Sequence, residues 1–184
     1  MGGAQAEPGF GGAEHHQRLP VGSTTRRVRR AEPGDASACV DIVAGLPEFF
    51  TPDVVDKVRA DLLTHDCWVL VEDGAVAAFA IVARRGRCRQ AVAEVLWAAT
   101  SAALRNRGIG TALIEHVLGE LSLDGTRLVE VKTLDPSAGY EPYLATYAFW
   151  TARGFVHVDT IDPLPGWEPG NPCAILIAAI GSTW

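Results

Sequence analysis

The sequence lacks the long apolar runs and the surplus of basic residues that mark membrane and nucleic-acid proteins. Its 184 residues contain no uninterrupted apolar stretch of the ~20 residues needed to cross a bilayer, and no N-terminal apolar block typical of a secretory signal. Acidic residues outnumber basic ones by 22 to 16, and the net charge of −6 disfavours a polyanion partner. We therefore expect a cytoplasmic protein that binds neither a membrane nor nucleic acid.

Cysteine and lysine are also scarce. The four cysteines are widely spaced, without a CxxC pair or a zinc-ligand spacing: Cys39, Cys67, Cys88 and Cys173. This spacing predicts reduced thiols and no metal site. Lys57 and Lys132 are the only lysines, whereas arginine is abundant, which suggests a bacterial source with a GC-rich genome.

The composition is that of one globular domain. Hydrophobic residues make up 48% of the chain and charged residues 21%, close to globular averages, and the length suits a single hydrophobic core. Residues 1–25 are rich in glycine, proline and polar residues and have no periodicity. We expect residues 1–25 to form a flexible tail and residues 26–184 to form a single domain.

The spacing of apolar residues predicts a mixed α/β fold. Alternating or continuous apolar runs predict strands over 26–30, 67–72, 75–82, 92–100, 128–134, 155–158 and 173–180. Helical spacing and capping residues predict helices over 33–45, 52–63, 108–122 and 143–152. This order of elements implies a mixed sheet with helices on its faces.

One segment, RNRGIGT, joins a predicted strand to a predicted amphipathic helix. It comprises Arg105, Asn106, Arg107, Gly108, Ile109, Gly110 and Thr111. The first helical turn has N–H groups without intrahelical partners, and the helix dipole adds partial positive charge, so the backbone can hold a phosphate. Gly108 and Gly110 would let a ligand approach the main chain, while Arg105 and Arg107 would add donors at the rim. A plain strand-to-helix turn would explain the same residues.

Two common nucleotide-binding motifs are excluded. A dinucleotide-binding G-x-G-x-x-G needs a third glycine where this chain has Leu113. A mononucleotide P-loop needs a G-K-[ST] sequence, and the chain has none. An unrelated nucleotide binder that uses the glycine turn stays open as a weaker alternative.

The pattern R-x-x-G-x-G at the start of this helix resembles the acyl-CoA pyrophosphate loop of the GNAT superfamily of N-acetyltransferases. Two further segments extend the resemblance. AEVLWAA, residues 93–99, is similar to the family's fourth strand, and FWTARGF, residues 149–155, is similar to its FY-x-x-x-GF segment. The resemblance covers roughly residues 26–180.

The resemblance implies the GNAT acyl-CoA N-acyltransferase fold, a mostly antiparallel sheet of about seven strands with four helices, splayed between the fourth and fifth strands. The pantetheine arm of the cosubstrate acetyl-CoA would enter this splay. It would bond the backbone of Ala98, Ala99 and Thr100 like a partial extra strand. Residues 105–111 would hold the pyrophosphate.

The resemblance also points to Glu94 as the general base. Glu94 lies eleven residues before Arg105, as does the base glutamate in the histone-acetylating branch of the family. Strand alternation predicts that Glu94 shares a face with Leu96 and Ala98, and partial burial there would raise its pKa towards a useful value. A solvated strand end, or a role in orienting substrate, is the alternative.

The acid that protonates the leaving thiolate departs from the family pattern. The family often uses the tyrosine of its FY segment, but this chain has Trp150 there, and an indole is not a practical acid. Tyr147, one helical turn earlier, is the predicted acid, and Tyr143 lies another turn back. Packing of a helix face is the alternative for both phenols. Water is another proton source, since a thiol has a pKa of about 8.5.

These assignments predict an N-acetyltransferase that moves acetyl from acetyl-CoA directly to a primary amine of an unidentified acceptor. A catalytically weak acyl-CoA sensor or interaction module on the same fold is the alternative, motivated by Trp150. The apolar last strand, 173–180, would offer an edge for a homodimer.

Overall fold

The fold is described by a computed structural model that covers residues 24–84 and 91–181. Its elements, in chain order, are β1 (Arg26–Arg30), α1 (Ala36–Ala44), α2 (Pro52–Leu62), β2 (Asp66–Glu72), β3 (Ala75–Arg84), β4 (Val92–Thr100), α3 (Ile109–Leu123), β5 (Leu128–Leu134), α4 (Glu141–Thr151), β6 (Val156–Ile161) and β7 (Cys173–Ala179). Every predicted strand and helix is present, and the predicted bounds of β1, β4 and β5 are the observed ones. The predicted tail, apart from its last two residues, lies outside the described residues, as does Cys88.

The strands form one seven-stranded mixed sheet in the order β1-β2-β3-β4-β5-β7-β6. Neighbouring strands run antiparallel, except that β4 and β5 are parallel. The expected mixed, mostly antiparallel sheet is therefore confirmed. β7 lies inside this sheet, between β5 and β6, so the prediction that the last strand offers a free dimer edge is wrong.

Helices cover both faces of the sheet. On one face lie α3 and α4, and the α3 residues Leu113, Val117 and Leu121 are at most 1% exposed there. On the other face α1 and α2 bury residues such as Val43 and Val58. The apolar stripe of each helix is thereby removed from water. Among the described residues, no helix combines the length and the apolarity that a bilayer span requires.

β4 and β5 separate after a short parallel pairing. Their register ends at the pair Val95 and Val131, although β4 continues to Thr100 and β5 to Leu134. A cleft therefore opens between the two strands beyond Val95. The expected splay between the fourth and fifth strands is confirmed.

A β-bulge in β4 lies where the cleft begins. The register with β3 skips Leu96, which is an extra residue on β4. Leu96 and Trp97 both contact the core on the α1–α2 side, whereas Ala98 contacts the core on the α3–α4 side. Because regular alternation ends at Leu96, the prediction that Glu94 and Ala98 share a face is wrong.

Two leucines of α3 test its packing against the sheet. Leu121 is fully buried, whereas Leu123 is 85% exposed. We expect Leu121→Ala to lower the free energy of unfolding by about 2–5 kcal/mol, because it removes buried contacts and leaves a cavity. Leu123→Ala should change that free energy by less than about 0.5 kcal/mol. Urea unfolding followed by circular dichroism measures both variants, and equal effects would contradict the packing described above.

Candidate active site

The N-terminus of α3 presents a row of backbone donors. Gly108 caps the helix in the left-handed conformation, at φ 75°, and no side chain caps the first turn. The first hydrogen bond of the helix runs from Ala112 N to Gly108 O at 3.0 Å. Within the two described stretches of the chain, the amides from Asn106 to Thr111 donate to no backbone or side-chain acceptor. These amides and the helix dipole make a site suited to an anion such as phosphate.

The two glycines of this segment have different roles. Gly108 is needed for its positive φ, and a Cβ there would meet open space. At Gly110, a Cβ would lie 3.3 Å from Thr100 Oγ1 and 3.5 Å from Phe149 Cε2. The missing side chain of Gly110 therefore lets α3 pack closely against β4 and α4, and the close approach of a ligand to its backbone stays a prediction.

Arg105 and Arg107 hold this segment to its neighbours. Arg105 Nη1 donates to Glu48 Oε1 at 2.9 Å, and the guanidinium carbon lies 4.5 Å from the centroid of the Phe49 ring. Arg107 Nη1 lies 3.3 Å from Oε2 of Glu72, whose side chain is almost fully buried. The predicted cations are thus present at the helix N-terminus, and each already has a carboxylate partner.

The loop between α1 and α2, residues 45–51, spans the two sides of the cleft and is named here the bridging loop. On the β4 side, its residues Glu48 and Phe49 contact Arg105. Sequence reasoning missed this loop, because its contacts join segments far apart in the chain. The adjacent aromatic residues Phe49 and Phe50 were the only local signal.

Two tyrosines fix the bridging loop on the β5 side of the cleft. Tyr140 Oη donates to Glu48 O at 3.0 Å, and Tyr143 Oη donates to Phe49 O at 2.6 Å. Burial raises the pKa of Tyr143 to about 12, with a smaller contribution from Tyr140. Tyr143 is therefore a good hydrogen-bond donor to the loop and a poor proton donor to a thiolate.

Glu94 lies on β4 just before the cleft opens. Its neighbours Ala93 and Val95 face the α3–α4 core, so Glu94 faces α1 and α2. The side chain is buried, and Oε1 accepts a hydrogen bond from Lys132 Nζ at 3.0 Å. Lys132 Nζ also lies 2.5 Å from Oε1 of Glu130, which is in register with Glu94. The lysine ammonium therefore holds the Glu94 carboxylate in place beside the start of the cleft.

Tyr147 is directed towards β6. Its Oη lies 3.1 Å from His157 Nδ1, and His157 Nε2 lies 2.9 Å from Asp159 O. A carbonyl oxygen only accepts, so Nε2 carries a proton, and in the neutral imidazole Tyr147 therefore donates to Nδ1. Tyr147 packs against the core under α3 and α4, on the opposite face of the sheet from Glu94. The structure does not bring these two predicted catalytic residues together.

Trp150 is a core residue. It is 5% exposed, and its ring centroid lies 5.1 Å from those of Phe149 and Phe155. These edge-to-face contacts place Trp150 within the core on the α3–α4 side of the sheet. At the position where the family often has a tyrosine, this chain therefore has a buried indole that packs in the core.

The described cysteines are buried free thiols. Burial raises the pKa of Cys173 to about 11, and a hydrogen bond with Cys39 together with burial raises the pKa of Cys67. Neither thiol is therefore ionised at neutral pH. Among the described residues, no group of three or more His, Cys, Asp or Glu side chains is placed to hold a metal ion.

Three solved structures have the same fold. A protein from Desulfovibrio desulfuricans described as a GNAT-family acetyltransferase has a TM-score of 0.75 at 21% identity, over 84% of this chain and 99% of that chain. The ribosomal-protein-S18-alanine N-acetyltransferase from Escherichia coli has a TM-score of 0.68 at 19% identity, over 87% and 97%. An aminoglycoside 6′-N-acetyltransferase solved with coenzyme A has a TM-score of 0.66 at 14% identity, over 86% and 99%. At these identities the likeness shows the fold alone.

Sequence comparison assigns the family. No curated protein sequence matches the chain. The sequence profile of the acetyltransferase (GNAT) family matches residues 39–155, which is more than half of the chain and includes β4, the N-terminus of α3 and α4. This chain belongs to the GNAT family of acetyltransferases.

Proposed function

We propose that this protein transfers an acetyl group from acetyl-CoA to a primary amine of a separate acceptor, by direct attack of the amine on the thioester. The observation that carries the proposal is the row of amides from Asn106 to Thr111, which have no acceptor among the residues that the structure describes and lie beyond the open edge of β4. The coenzyme A complex of the aminoglycoside-modifying relative supports CoA as the carrier. The free thiols of the described cysteines suit a reducing compartment, and we place the protein in a bacterial cytoplasm.

The donor would lie along the cleft. Its pantetheine arm would bond the backbone of Ala98, Ala99 and Thr100, which pair with β3 on their other edge. Its diphosphate would accept from the amides of residues 106–111. These two anchors would direct the thioester towards Val95, where β4 and β5 separate, one residue beyond Glu94.

The reaction needs a base, because a primary alkyl amine has a pKa near 10.4 and is mostly protonated at neutral pH. Glu94 takes a proton from the ammonium form of the acceptor, and the neutral amine that results attacks the thioester carbonyl carbon. The C–N bond forms, the C–S bond breaks, and the sulfur leaves as a thiolate. The nitrogen loses its second proton to solvent as the amide forms. Lys132 donates to the Glu94 carboxylate and holds it in place before the attack. Alignment of the two substrates in the cleft supplies much of the rate.

Solvent is the proposed proton source for the thiolate. A thiol pKa of about 8.5 makes the thiolate a tolerable leaving group without a protein acid. Tyr143 donates to the bridging loop and has a pKa of about 12, and Tyr147 donates to His157. Neither phenol is therefore assigned a proton transfer to the sulfur.

A second candidate is an acyl-CoA sensor that catalyses no transfer. The observation that favours it is the burial of Trp150, which leaves no phenol at the family's usual tyrosine position. Such a protein would use the same α3 donors and the same cleft. The two functions differ only in whether bound acetyl-CoA reacts.

One experiment separates the two candidates. The protein is incubated with acetyl-CoA and a panel of small amines, amino acids, aminoglycosides and peptides, and free thiol is followed with a colorimetric reagent. Thiol release above background with at least one acceptor supports the transferase. Tight CoA binding by calorimetry without release for any acceptor supports the sensor, and the absence of CoA binding at millimolar concentration contradicts both.

Glu94→Gln removes the proposed base and keeps the shape of the side chain. We expect kcat to fall about 10²–10⁴-fold, the usual contribution of general-base catalysis. The wild-type rate should fall in acid as the carboxylate becomes protonated, and this limb of the pH profile should be lost in the variant. Glu130→Gln is the matched control, because Glu130 contacts the same lysine from the neighbouring strand. Similar losses in both variants, or an unchanged pH profile in Glu94→Gln, would argue against Glu94 as the base.

Tyr147→Phe removes the hydroxyl that donates to His157. We expect kcat to change by less than about threefold, equivalent to less than about 0.7 kcal/mol in the barrier, because this hydroxyl faces β6. Steady-state rates at saturating acetyl-CoA and acceptor measure the effect. A loss of about 10²-fold or more would instead identify Tyr147 as the general acid.

A further inference from the structure

Arg153 lies two residues after the end of α4 and joins this end to the first turn of α3. Its Nη1 donates to Phe149 O at 2.5 Å, and its guanidinium carbon lies 3.5 Å from the centroid of the Phe149 ring. Nη2 donates to Thr111 Oγ1. Two hydrogen bonds and one stacking contact therefore fix the position of the charged group.

The Phe149 ring brings this guanidinium to the N-terminus of α3. The same ring lies 3.5 Å from the position that a Cβ would take at Gly110. Thr111, which holds Nη2, is the third residue of the helix. Arg153 thus lies beside the amides that have no acceptor within the described residues.

The charge environment of Arg153 differs from that of the other half-buried arginines in the described stretches. Arg29, Arg84 and Arg105 each have a carboxylate oxygen at 2.6, 2.9 and 2.9 Å, respectively. Arg153 has none within 4.0 Å among the described residues. Its Nε is buried, and no acceptor for it lies in that part of the chain.

A half-buried cation that has no carboxylate within 4.0 Å among the described residues is unfavourable, and the positive end of the α3 dipole adds to the cost. Burial lowers the pKa of Arg153, and the charge of Glu115 only partly opposes this effect. An anion bound between the guanidinium and the α3 amides would offset both costs. Arg153 is therefore a cation at a position where a bound anion would be stabilising.

We propose that Arg153 binds a phosphate group of coenzyme A together with the α3 amides, and that Phe149 and Thr111 hold it in position for this purpose. This inference rests on the proposed function, because it takes the α3 N-terminus as the site of the CoA phosphates. A guanidinium presents its donors in a planar fork that matches phosphate oxygens. The diphosphate and the 3′-phosphate of CoA are the two groups that offer this chemistry.

Calorimetric titration with CoA and with dephospho-CoA, which lacks the 3′-phosphate, tests the assignment. Arg153→Met removes the charge and keeps an apolar chain against Phe149. We expect it to weaken CoA binding about 10- to 100-fold, the size of one lost charge-assisted hydrogen bond. Arg59→Met is the matched control, because Arg59 is an exposed arginine on α2, and its affinity for CoA should equal that of the wild type.

The two ligands distinguish the two phosphate sources. A loss with CoA alone assigns Arg153 to the 3′-phosphate, and an equal loss with both ligands assigns it to the diphosphate. Wild-type affinity of Arg153→Met for both ligands would overturn the assignment and leave the proposed function standing. A wild-type protein that binds neither ligand would overturn the proposed function as well.

Thr111→Val is a second variant, in which Arg153 is retained and loses one of its contacts. It removes only the acceptor for Nη2, and we expect it to weaken CoA binding about two- to tenfold. Thermal unfolding shows whether each variant is folded. If Arg153→Met does not fold, unchanged affinity in Thr111→Val counts against the inference, and weaker binding by folded Thr111→Val supports it.

Discussion

The early end of the parallel pairing between β4 and β5 determines where the proposed donor would bind. Beyond Val95 the two strands separate, so within the described part of the chain one edge of β4 has no strand partner as far as Thr100. The first turn of α3 follows a few residues later. The backbone N–H and C=O groups on this edge of β4 and the N–H donors at the start of α3 therefore line the same cleft. If β4 and β5 paired along the whole of β4, the backbone N–H and C=O groups on this edge of β4 would bond to β5 and could not bond to a ligand.

The arginines and the buried carboxylate of Glu94 lie at opposite ends of this cleft, although the chain as a whole is acidic. The net charge is −6, yet Arg105, Arg107 and Arg153 surround the N-terminus of α3. Carboxylates hold the first two, and among the described residues none lies within 4.0 Å of the third. At the other end of the cleft, Lys132 holds Glu94. Positive charge thus lies where the proposed donor would carry its phosphates, and a carboxylate lies where the proposed reaction would take a proton from the amine.

Local signals in the sequence were sufficient to predict the elements and the α3 segment, whereas contacts between distant segments were not. Apolar runs with polar or glycine ends determine β4 and β5, and Gly108 marks the start of α3. No glycine or proline marks the bulge at Leu96, so the assumption of regular alternation assigned Ala98 to the wrong face of the sheet. The pair of Lys132 and Glu94 depends on the strand register, and Arg153 meets a residue 42 positions away. Such contacts follow from the topology and leave no periodic pattern.

The bridging loop is attached to its surroundings by anchors of two kinds. On the β5 side, Tyr140 and Tyr143 donate to its carbonyl oxygens, and these bonds involve no net charge. On the β4 side, the carboxylate of Glu48 holds Arg105, the same cation that a diphosphate at α3 would attract. A polyanion that drew Arg105 away would break the charged anchor and leave the two tyrosine bonds intact. Apolar contacts would still hold the loop to β4, because Phe50 packs against Trp97 and Leu46 is buried. The ion pair between Glu48 and Arg105 is therefore the contact that would couple phosphate binding at α3 to the loop.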